Sequence, residues 1–386
     1  MNELEYYSLH NISTIGQDIS NMQLHLKRRA RLYELVGIPT RALLKADVLE
    51  VGAGGGYNAL ALLLFGANVD IVEPNVRACE DAEKLFTQFK IPKHQYRIFN
   101  CLVEEYQNDK IYDFIGAEGF LPTLESQEVK ENVVCAMKKL VKPNGNILAT
   151  SMCEIGYAFE DFRRILGLRL IYGIKGIQEQ IEILAYAFES HLKACKFAAK
   201  PIKDWVVATI LNPGLDATFS SLVDIVKMFC KENHYEVVGM SPNAIPNLSW
   251  YRNMDYQYHR VICDGFLLKE YLFLSNDIKD SIREKSKNIR LRERLKEMRS
   301  YIKTMKDVFL SGSDDLMCGG GAFLPIVEIL ELILQGNDDI KGRFIPSVQE
   351  VITMLKNEKI SPQQVANMCF KEAWGQGQQY INFKKV

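Results

Sequence analysis

The chain has 386 residues, long enough for two domains or one elaborated domain around a large core. Its 47 basic and 48 acidic residues leave a net charge of −1, which argues against a dedicated nucleic-acid binder, whose surface carries a basic excess. No apolar run is long enough to span a membrane, and Met1-Asn2-Glu3-Leu4-Glu5 has neither the basic nor the apolar region of a signal peptide, so a cytoplasmic protein is expected.

The first element in chain order is an amphipathic helix over 19–36, within an N-terminal extension of residues 1–44. Met22, Leu24, Leu26, Leu32, Leu35 and Val36 supply its apolar positions, and Lys27, Arg28, Arg29 and Arg31 read as a solvated basic face. Val48-Leu49-Glu50-Val51-Gly52-Ala53-Gly54-Gly55-Gly56 follows as a short apolar strand that turns into a glycine loop, and Tyr57 opens the helix after it. Gly52, Gly54 and Gly56 make a G-x-G-x-G pattern, in which each missing Cβ permits a sharp turn or a close ligand approach. A dinucleotide fingerprint would place its third glycine at position 57, where Tyr57 stands.

Asn68-Val69-Asp70-Ile71-Val72-Glu73 is a second strand ending in a carboxylate, placed to accept hydrogen bonds from both hydroxyls of a ribose. A third strand is expected over 95–100, with Cys101-Leu102-Val103-Glu104 in the loop behind it. A fourth runs over 111–120, and Glu118 falls at its carboxyl end, where open parallel sheets bind ligands. A helix over 128–141 and a fifth strand ending at Thr150-Ser151 complete the series.

In these residues the chain resembles the class I S-adenosylmethionine-dependent methyltransferases, whose first motif is an apolar strand, an acid and G-x-G-x-G. The resemblance covers 45–151 closely and the return strands to about 275 loosely. It implies an α/β, Rossmann-like, doubly wound and mostly parallel seven-stranded sheet that binds S-adenosyl-L-methionine. Carried onto this sequence, it assigns Glu50, Gly52, Ala53, Gly54 and Gly56 to the first motif, Glu73 to the ribose, and Leu102 and Val103 to an apolar shelf for the adenine. Glu118 is then a polar contact near the transferable methyl, as a base or as an anchor for the methionine ammonium, and the N-terminal helix can cap the pocket.

Besides the N-terminal extension, two regions depart from a minimal domain of this kind, the stretch between the fifth strand and the return strands and the C-terminal region. A helical insertion is expected at 154–215, with 204–213 ambiguous between strand and helix. Within the 45–275 domain, strands six and seven are expected at 235–242 and 267–274, separated by a long loop. Long ordered loops are often functional. Trp250 and Tyr251 in that loop are the expected substrate wall, and His259 a candidate general base. Residues 276–386 read as an all-helical region, with a basic helix over 279–306 that can pack on a second copy of the chain.

The nine cysteines are odd in number and show no C-x-x-C pair, and the six histidines are dispersed, so reduced thiols and no metal site are expected. Ala117-Glu118-Gly119-Phe120-Leu121-Pro122 lacks the N/D-P-P motif of nucleic-acid amide methylation. Together these features predict a methyltransferase acting on a small polar molecule, with O-methylation of a carbohydrate or similar metabolite favoured over N-methylation. The alternatives are an NAD(P)-dependent oxidoreductase, which Tyr57 disfavours, and a non-catalytic methyltransferase-like binding module.

Overall fold

The computed structural model describes residues 5–6, 17–195, 200–216, 218–232, 234–243, 252, 258–275, 278, 283–311, 323–357 and 359–386. The chain divides into two compact units. One comprises residues 1–152, 219–266 and 378–386, and the other 153–218 and 267–377. The insertion and the C-terminal helices, read from the sequence as separate regions, belong to the same unit.

The first unit carries the sheet. Helix α1 (Met22–Leu35) starts where the Asn21 side chain accepts the Leu24 N–H. Strand β1 (Asp47–Val51), helix α2 (Tyr57–Leu64), strand β2 (Asn68–Val72) and helix α3 (Val76–Gln88) follow. The last four residues of β1 and of β2 are all buried, the mark of parallel strands covered on both faces. Strands β3 (Tyr96–Phe99) and β4 (Tyr112–Ala117), helix α4 (Gln127–Leu140) and strand β5 (Val141–Met152) complete the run. Strands β6 (Tyr235–Ser241) and β7 (Gln378–Lys385) return at the far edge.

The seven strands lie in the order β3-β2-β1-β4-β5-β7-β6, with β1 to β5 parallel and β7 antiparallel to both β5 and β6. Strand order reverses between β1 and β4, and such a switch opens a crevice at the carboxyl ends of the strands. The seven-stranded Rossmann-like sheet is thus as expected, but the seventh strand is not at 267–274. Those residues end the helix Tyr258–Lys269 and form the 3-10 turn Glu270–Leu274. The C-terminal region is helical only up to residues 378–385, which supply the strand instead. Its Gln379 is buried and accepts a 3.2 Å hydrogen bond from the Ser151 hydroxyl, while Asn382 donates to the Val36 carbonyl at 2.9 Å.

The second unit is helical. Helix Ala158–Ile171 is buried on nearly every side, with Phe159 and Phe162 packed edge-on or stacked against Phe344 and Phe370. Residues 204–213, ambiguous in sequence, are mainly helical: the turn Ile202–Trp205 runs into a π-helical segment, Val206–Leu211. Among the described residues, no helix is long and apolar enough to cross a membrane.

Candidate active site

The loop between β1 and α2 depends on its glycines. Gly52, Gly54 and Gly56 have φ of +65°, +53° and +81°, the left-handed region where a side chain costs about 1–2 kcal/mol. Two of them also have a packing reason. A Cβ on Gly52 would lie 2.8 Å from the Phe120 ring, and one on Gly56 would lie 2.9 Å from Ala82 and 3.0 Å from Phe86 on α3. Gly54 is held differently, because its N–H donates to Glu73 Oε2 at 2.8 Å.

Glu73 is buried at the end of β2 and joins the two loops. Its Oε1 accepts the Asn75 N–H at 2.9 Å while Oε2 holds Gly54. A carboxylate offers roughly four acceptor sites, and these two bonds tie one oxygen to each loop. Asn100, just after β3, donates to the Glu73 and Pro74 carbonyls at 2.9 Å each, which fixes the third loop to the second. In that third loop Val103 is buried and Leu102 exposed.

A second acidic corner lies at the ends of β1 and β4. Glu50 is buried, its carboxylate hydrogen-bonds Asn58, and Oε2 has no hydrogen-bond partner. Burial pushes the Glu50 carboxyl well above the usual carboxylate range, Glu118 pushes it the same way, and Arg29 opposes both. Gly116 makes room for it, since a Cβ there would meet Glu50 Oε2 at 2.2 Å. Glu118 is gripped by both terminal nitrogens of Arg29, Nη1 donating to Oε2 at 2.9 Å and Nη2 to Oε1. Arg29 Nη2 also donates to the Tyr33 hydroxyl at 2.6 Å. Burial works against the Arg29 charge, but Glu118 outweighs it and keeps the guanidinium firmly protonated.

This corner corrects the reading of α1. The buried face of the helix is His25, Arg29 and Tyr33, whereas Leu24 and Leu35 are 42% and 45% exposed. Arg29 is therefore not part of a solvated face, because a cation is needed beside two buried carboxylates. The signal was the four-residue spacing of His25, Arg29 and Tyr33, which apolar periodicity does not detect.

The sheet thus brings Glu50, Gly52, Ala53, Gly54, Gly56, Glu73 and Glu118 to the carboxyl ends of neighbouring strands. Thr150, at the end of β5, accepts the Gly119 N–H at 2.9 Å and fixes the loop after β4. His259 lies half-buried on the helix Tyr258–Lys269, and no hydrogen bond joins it to Glu118 among the described residues. Trp250 and Tyr251 lie outside the described residues.

Residues 31–162 match the family model "Tellurite resistance protein TehB". The chain is 28% identical over 108 residues to the ubiquinone biosynthesis O-methyltransferase of Rickettsia prowazekii (strain Madrid E), covering 28% of this chain and 40% of that protein. It is 31% identical over 101 residues to the protein of the same name from Rickettsia typhi (strain ATCC VR-144 / Wilmington), covering 26% and 39%. The chain spans about two fifths of the length of these curated relatives. Among solved structures it is similar to PKMT2 from Rickettsia typhi in complex with AdoHcy, with 16% identity, a TM-score of 0.43 and coverage of 64% of this chain and 50% of that one. It is also similar to N-methyltransferase NodS from Bradyrhizobium japonicum WM9, with 17% identity, a TM-score of 0.32 and coverage of 40% and 75%. The sheet order and the glycine loop at its switch point make the sheet-bearing unit Rossmann-like, and residues 31–162, which carry that loop, are the part of the chain that matches the family model.

Proposed function

We propose that the chain is an S-adenosylmethionine-dependent methyltransferase whose acceptor is a small polar molecule methylated on oxygen. The observation that carries this reading is Glu73, a buried carboxylate at the end of β2 that holds the N–H of the left-handed Gly54. In this reading Glu73 would take the ribose hydroxyls, and the glycine loop that it holds would take a ligand without phosphate. The residues fit the cofactor: Glu73 would take the ribose hydroxyls, Leu102 and Val103 the adenine, and the loop of Gly52, Ala53, Gly54 and Gly56 the amino-acid portion. The partnerless oxygen of Glu50 suits an ammonium, with Glu118 beside it.

When bound, the cofactor supplies a sulfonium methyl that is already electrophilic. The protein must then orient the acceptor for in-line attack and exclude water. Arg29 occupies both oxygens of Glu118, which favours Glu118 as an anchor over Glu118 as a base. The names of the curated Rickettsia relatives support transfer to oxygen. Eight described cysteines are all free of disulfides, which fits a reducing cytoplasm.

The test is transfer of a labelled methyl from S-adenosylmethionine into a fractionated metabolite extract. The reading expects label in hydroxyl-bearing small molecules. Label confined to amines would overturn O-methylation, and no transfer from a protein that binds the cofactor would favour a binding module.

A further inference from the structure

The sheet unit brings one more polar side chain to the carboxyl ends of its parallel strands, and it comes from β7. Ala117 of β4 pairs with Ala149 of β5, and Tyr380 of β7 pairs with Thr150 on one side and Ser241 of β6 on the other. The last row across the sheet therefore runs Glu118, Thr150, Tyr380, Ser241. Directly opposed residues point to the same face of a sheet. That face is the one covered by α1, because Asn382, two residues along from Tyr380, donates to the Val36 carbonyl at the C-cap of α1. The Tyr380 ring packs against the cluster that holds Tyr33 and Leu148, and the charges of Glu118 and Arg29 act on its hydroxyl.

This rim is open. Glu118, Tyr380 and Ser241 are partly exposed and Gly119 is exposed, whereas the row beneath them on the same face, Glu50, Gly116, Leu148 and Asn382, is buried. A Cβ on Gly119 would meet no atom within 4 Å, so free space lies against the loop that Thr150 holds. Arg29 holds the Tyr33 hydroxyl, but among the described residues no hydrogen bond engages that of Tyr380. Burial and then Glu118 push the Tyr380 phenol up to about 12 against the pull of Arg29, so at neutral pH it keeps its proton and can donate it in a hydrogen bond. The residues that fit the cofactor end β2, β1 and β4, and the rim continues past them to β5 and β7. In-line displacement needs the acceptor on the far side of the methyl, and the strands beyond Glu118 supply that side.

We propose that Tyr380 is a substrate-contacting residue of methyl transfer, whose hydroxyl donates a hydrogen bond to the methyl acceptor and turns it toward the cofactor. This rests on the methyl-transfer reading and adds to it the place of the acceptor. The test compares the full chain with Tyr380→Phe, which keeps the ring and its packing and removes only the hydroxyl. Titration with S-adenosylhomocysteine and thermal melting are read beside the initial rate of labelled-methyl transfer from S-adenosylmethionine into dilute metabolite extract, where the rate reports kcat/KM. The variant should keep its melting temperature, bind S-adenosylhomocysteine within about twofold of the parent, and transfer methyl roughly tenfold or more slowly. Transfer by Tyr380→Phe at the parental rate overturns the proposal and leaves the methyltransferase reading standing. So does a fall in S-adenosylhomocysteine affinity or in melting temperature that accounts for the lost rate, since Tyr380 would then belong to the cofactor site or to the packing. No transfer by the parent overturns the methyltransferase reading itself, and the role of Tyr380 with it.

Discussion

Replacing Arg29 by methionine removes the cation that grips Glu118 and opposes the charge of Glu50 in the acidic corner of the sheet unit. The side chains of Arg29 and Glu118 are 9% and 5% exposed, so this is a buried pair rather than a surface one. Methionine fills most of the volume, which leaves electrostatics as the main effect. Glu118 loses both of its guanidinium donors, the Tyr33 hydroxyl loses one, and Glu50 loses the cation that counters Glu118. Removing one partner of a buried pair costs about 3–5 kcal/mol, a large share of the roughly 5–15 kcal/mol that holds a typical domain folded.

The loss should depend on pH. The folded carboxyl of Glu50 already lies above its unfolded value, so its favourable contribution is present below the ordinary carboxylate range and is lost as pH rises through the raised folded value. Without Arg29 that value rises further, and the deficit of the variant should shrink as the solution is acidified. Urea unfolding followed by far-ultraviolet circular dichroism at about pH 8 and about pH 5.5 measures both effects. Adding Glu118→Gln to Arg29→Met should recover about 1–3 kcal/mol. A loss within about 0.5 kcal/mol at both pH values, the size of an exposed pair, would refute the reasoning.

Three further outcomes are expected. Glu73→Ala should weaken binding of S-adenosylhomocysteine by about 1–3 kcal/mol in a titration, and unchanged affinity would remove Glu73 from the site. Gly56→Ala should cost about 2 kcal/mol or more in unfolding experiments, from left-handed strain plus crowding against Ala82 and Phe86. Gly119→Ala, at φ +91° with no atom within 4 Å of the new Cβ, should cost only about 1–2 kcal/mol, and equal losses would dismiss the packing argument. In the helical unit, Arg163 Nε donates to His191 Nδ1 at 3.2 Å and His191 Nε2 bonds the Val365 carbonyl at 2.8 Å. Burial and then Arg163 pull the His191 pKa from 6.5 down to about 3. The stability this gives is present above pH 6.5 and lost as pH falls toward 3, at about 1.4 kcal/mol per pH unit. A His191→Gln variant should show a flatter pH profile of urea midpoints across that window, and an identical profile would count against the assignment.

The parts of the site that lie close in sequence were legible before the structure. Glu50, the three glycines and Tyr57 form one strand, loop and helix, and Glu73 follows one helix later, so local pattern and spacing suffice. The ordered third, fourth and fifth strands were readable for the same reason. The seventh strand was not, because β7 comes from the chain terminus to sit between β5 and β6, and its buried Gln379 and Asn382 disguise a central strand as a polar tail. Arg29 was misread because the rule that charged residues face water fails where carboxylates need a buried counter-ion. Helix Ala158–Ile171 shows the same limit, since Asp161, Arg163 and Arg164 are fully buried in an element whose apolar spacing suggests a solvated face.

The central claim is that the glycine loop of the sheet unit binds S-adenosylmethionine. It is tested most directly by calorimetric titration of the full chain with S-adenosylhomocysteine and, separately, with NAD. Saturable binding of S-adenosylhomocysteine is expected, abolished by Gly54→Val, which places a branched side chain at φ +53° where the N–H must reach Glu73. NAD should give no saturable heat. Saturable binding of NAD in place of S-adenosylhomocysteine, or undiminished binding of S-adenosylhomocysteine by Gly54→Val, would contradict the account.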